Sequence, residues 1–200
     1  MSEDGKNIIA LLQQLRRLCE EIGLLLGTAD RLMSEAAWSA ADINYVFAGL
    51  KYNLANPRLW VPQDFFRFYR NDKFGHILAF VSVVLDDEKN TNTLEEPLLT
   101  AGWFDYGPGN EVGKRWQYSY ARWHLQMPER NDEGQLLYAD SEARWPREPF
   151  VRVATLGVPL TSIVNADGLK TTIIRPLLEG IKEDRGKSPS SINPLVSGTQ

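Results

Sequence analysis

A chain of 200 residues, 43% apolar and 24% charged, can bury one sizeable core, and this composition excludes a wholly disordered chain. The formal net charge of -4, from 26 acidic and 22 basic residues, excludes a general electrostatic pull toward nucleic acid or anionic lipid. A single cysteine, Cys19, excludes an internal disulfide and a cysteine-rich metal site, and it points to a cytoplasmic protein.

At the front, apolar residues recur at Ile8, Leu11, Leu12, Leu15, Leu18, Cys19, Ile22, Leu25 and Leu26 with charges between them, the spacing of an amphipathic helix. Gly27 stands where a left-handed cap would end that helix, and Thr28 or Asp30 can cap a second one. The alanine- and aromatic-rich stretch that follows, with Ser39 and Asp42 spaced as a capping box, completes an expected helical hairpin over residues 7–53. Its apolar face either covers the rest of the fold or pairs with a second copy as a homodimer. The opening MSEDGKN lacks the basic and apolar blocks of a signal peptide, and no apolar run reaches the roughly 18–20 residues that span a bilayer. No membrane association is expected.

From residue 58 to 160 the pattern turns strand-rich. In RLWVPQDFFRFYRNDKFG, Pro62 can open a short helix that turns Phe65, Phe66 and Tyr69 inward and Arg67 and Arg70 outward. With Lys73, the two arginines would then form a basic patch. HILAFVSVVL reads as a strand closed by the polar turn DDEKNTNT, and PLLTAGWFDYG, RWQYSYARWHLQ and PFVRVATLGVPL read as three more. Their short polar connections favour an antiparallel sheet of about four or five strands. A closing helix over 167–182, capped by Asp167, carries Leu169, Ile173, Leu177 and Ile181 at four-residue spacing, with Pro176 marking a kink or a start. The polar Ser- and Pro-rich residues 183–200 read as a disordered tail. The whole is one α+β domain, residues 1–182, followed by that tail.

Chemistry is thinly represented. The chain has no Walker-type phosphate loop, dinucleotide fingerprint or nucleophile elbow, so no cofactor is expected. Two histidines, His76 and His124, with one cysteine do not make a metal-ligand set. Cys19 lies in the apolar stripe of the first helix, the place of a core thiol rather than a nucleophile.

The strongest functional pattern is WQYSYARWHLQ. Alternation places Trp116, Tyr118, Tyr120, Arg122 and His124 on one face of a strand, a set suited to stacking and to hydrogen bonding. The opposite face, Gln117 to Leu125, is no more apolar, so which side is buried stays open. The expected site is Tyr118, Arg122 and His124, joined by Trp103 and Tyr106 from the neighbouring strand. A non-enzymatic binding or regulatory module follows, recognising a partner protein or a planar small ligand. The alternative is a small hydrolase or transferase assembled on adjacent strands around His124, Arg122 and Asp105, with His76 beside them. Single-stranded nucleic-acid binding is a third reading, disfavoured by the acidic net charge.

Overall fold

The computed structural model describes residues 3–42, 46–48, 62, 64–85, 96–107, 109, 139–140 and 152–184. Helix α1 (Glu3–Glu35) runs for 33 residues, about 50 Å at 1.5 Å per residue, straight through Gly23 and Gly27. The expected break at Gly27 is absent because the apolar stripe continues: Ile22, Leu26, Ala29, Leu32 and Met33 are all buried. That burial outweighs the roughly 1 kcal/mol that each glycine costs in a helix. Thr28 does not cap a new helix either, since its hydroxyl donates back to the Leu24 carbonyl at 2.8 Å.

What ends α1 is a Schellman turn. Trp38 N donates to Met33 O at 2.9 Å and Ala37 N to Ser34 O at 2.9 Å, with Ala37 in the left-handed region at φ 63°. Beyond it the backbone is extended, so the hairpin's second helix is not found over residues 36–42 and 46–48, and Ser39 begins a strand rather than a capping box. The two short strands β1 (Ser39–Ala40) and β2 (Phe47–Ala48) both pair with β3 (Asp64–Arg70).

β3 replaces the short helix expected after Pro62. Its backbone is hydrogen-bonded on both sides, by β1 and β2 along one edge and by β4 (Ile77–Val84) along the other, with Asp64 opposite Val84 and Tyr69 opposite Ala79. Period two then sends Phe66 and Phe68 to one face of the sheet and Arg67 and Tyr69 to the other. Helical periodicity would have left Arg67 in solvent; instead it is buried.

β4, β5 (Leu98–Asp105) and β7 (Arg152–Pro159) fall where the apolar runs placed them, all antiparallel. β6 (Ala139–Asp140) pairs with β7, and the sheet order is β1-β3-β4-β5-β7-β6, with β2 also on β3. β5 is paired over all eight residues with both β4 and β7, so those two are the neighbours of Trp103. The expected strand within residues 116–126, the turn DDEKNTNT and the tail after residue 184 lie outside the described residues.

The chain closes through a 3-10 turn (Leu160–Ser162) into α2 (Ala166–Leu169), a π-helical turn (Lys170–Ile174) and α3 (Arg175–Asp184). The cap is Asn165, not Asp167: Asn165 Oδ1 accepts the Gly168 N–H at 2.8 Å, and Asp167 sits in the first turn. The π turn ends two residues before Pro176, which can donate no backbone hydrogen bond, and Arg175 N–H reaches back to Lys170 O. This wider turn also absorbs part of the drift that a four-residue spacing has against 3.6 residues per turn, and Leu169, Ile173, Leu177 and Ile181 are all buried.

α1 and the closing helix lie on one face of the sheet, against Tyr69, Ala79, Val81, Val83, Leu99, Ala101 and Trp103. The other face carries an aromatic row in which the Phe66–Phe68, Phe68–Phe80 and Phe80–Phe104 ring centroids are 5.3, 6.4 and 5.3 Å apart. Gly102 makes room for this row, because a Cβ there would collide with Ala154 O and come within 2.8 Å of the Phe80 ring.

Candidate functional site

Trp103 is buried, its indole laid against Gly180 of α3 so closely that a Cβ on that glycine would sit 2.7 Å from the ring. Tyr106 is buried as well. Both count among the buried side chains of the core. Tyr118, Arg122 and His124, the remainder of the expected site, fall outside the described residues.

Among the residues of the enzymatic alternative, His76 Nε2 stands 3.9 Å from Asp105 Oδ1, beyond hydrogen-bond length. That same carboxylate oxygen accepts the Gly107 N–H at 2.7 Å, which commits it to the turn after β5. No cluster of three or more His, Cys, Asp or Glu side chains able to hold a metal occurs among the described residues. No described helix is long and apolar enough to cross a membrane.

The basic patch loses its central member. Arg67 Nη2 and Nε donate to Asp30 Oδ2 and Oδ1 at 2.6 and 3.1 Å, and its Nη1 donates to the Asp42 carbonyl at 2.8 Å. Burial works against the Arg67 charge, but the Asp30 carboxylate outweighs it and holds the guanidinium pKa above its ordinary value. Tyr69 lies beside the same pair; burial first, and then the negative charge of Asp30, push its pKa well above the tyrosine norm. One turn on, Asn71 ties the strand end to the helix end, donating to Ala37 O at 2.9 Å and accepting from Lys73 N at 2.9 Å. The charges of this region fasten α1 to β3; of the expected patch Lys73 is exposed and Arg70 half-buried.

What the described surface does offer is apolar. The sheet-facing stripe of α1 begins before the sheet does. Ile8 is 58% and Leu11 65% exposed, with Leu12 also exposed and Leu15 partly so, whereas Leu26, on the same face two turns past Cys19, is 1% exposed. Where this overhanging half meets the body, a groove of about 570 Å³ opens between α1 and the segment leading into α2, walled by Leu18, Leu25, Leu160, Ile163 and Leu169 with Glu21 at its rim. Two of its polar neighbours are already engaged: the Thr28 hydroxyl on Leu24 O and the Asn165 side chain on Gly168 N. Such a surface can bind by hydrophobic contact.

No known family, curated protein or solved structure matches this chain.

Sequence reasoning missed the Asp30–Arg67 bond, since two polar residues so far apart in the chain leave no local signal. It found the α1 stripe as a pattern. What it lacked was the point at which the sheet stops covering it.

Proposed function

We propose that the protein is a non-enzymatic, cytoplasmic binding or regulatory module that docks a partner protein through the overhanging half of α1. The supporting observation is the exposure of Ile8, Leu11 and Leu12 on a helix face that is otherwise core. Three or four adjacent large aliphatic side chains left in water mark an interaction surface more often than an accident of packing. A helix presenting anchors at three- and four-residue spacing is a recurrent way for one protein to engage another. The reading places the recognition surface on α1 while Trp103 and Tyr106 are buried, and the alternation around Tyr118, Arg122 and His124 offers a second surface to the same kind of module.

The test is affinity capture from the protein's own cell, comparing the full chain with Leu11→Asp. Leu11 is exposed, so the variant keeps its fold, which a thermal melt verifies. Loss of specific partners from the variant supports docking through α1, and an identical set of captured proteins refutes it.

A further inference from the structure

We draw no further inference here: the strongest candidate, the apolar groove of about 570 Å³ between α1 and the segment leading into α2, with the exposed Leu24 and Val164 in its walls, carries nothing because nothing in the structure shows what covers it.

Discussion

Replacing Asp30 with alanine removes the carboxylate that faces Arg67, whose side chain is 6% exposed against 34% for Asp30. The substitution removes two charge-assisted hydrogen bonds, at 2.6 and 3.1 Å, and leaves the guanidinium held only by the Asp42 carbonyl among the bonds described above. Breaking a buried ion pair by deleting one partner costs about 3–5 kcal/mol. Asp30 is a third exposed, so water can enter the space left by the carboxylate and solvate part of the charge. The expected loss is therefore about 3 kcal/mol, the lower end of that range. Urea denaturation at neutral pH, read by tryptophan fluorescence, measures it. The double variant Asp30→Leu/Arg67→Met replaces both partners with apolar groups of similar length and is expected to recover most of the loss, because no charge is left buried. A single-variant cost below about 1 kcal/mol would show that Arg67 turns into solvent, and would refute the view that this pair fastens α1 to β3.

Two further outcomes follow from local geometry. Ala37→Gly should stabilise the protein by about 1 kcal/mol in the same denaturation assay, since a left-handed φ of 63° strains alanine and suits glycine. Tyr69 has a folded-state pKa raised above its unfolded value, so its contribution is complete below about pH 10 and is lost as pH rises further; Tyr69→Phe should flatten the alkaline fall in stability across that window.

The fold was legible where burial and local pattern agree. β4 and β5 are apolar on both faces and bounded by turn residues, and the Leu169–Ile181 spacing announces the closing helix. It was misread where a local signal opposed a distant one. Gly27 resembles a helix stop, yet Leu26, Ala29 and Met33 gain enough from the sheet to carry α1 past it. FFRFYR lies in a stretch that fits neither period well, and only the availability of backbone partners on both sides decides for a strand. The expected site was read from residue type, and type does not separate an aromatic that binds from one that packs: Trp103 fills space against Gly180. Arg67 likewise resembled surface charge until Asp30, one α1 turn past Leu26, supplied its partner.

The overhang of α1 has a consequence for how order is distributed in time. An isolated helical segment of about 15 residues is marginal in water, because each new turn must offset the cost of its nucleus. Residues 3 to about 17 take little support from the sheet and so fray from the N-terminus on a fast timescale, while the amides of β4 and β5, bonded along both edges, open only with global unfolding. Any occupant of the stripe therefore completes part of the helix as it binds, and the ordering cost of that half is subtracted from its affinity.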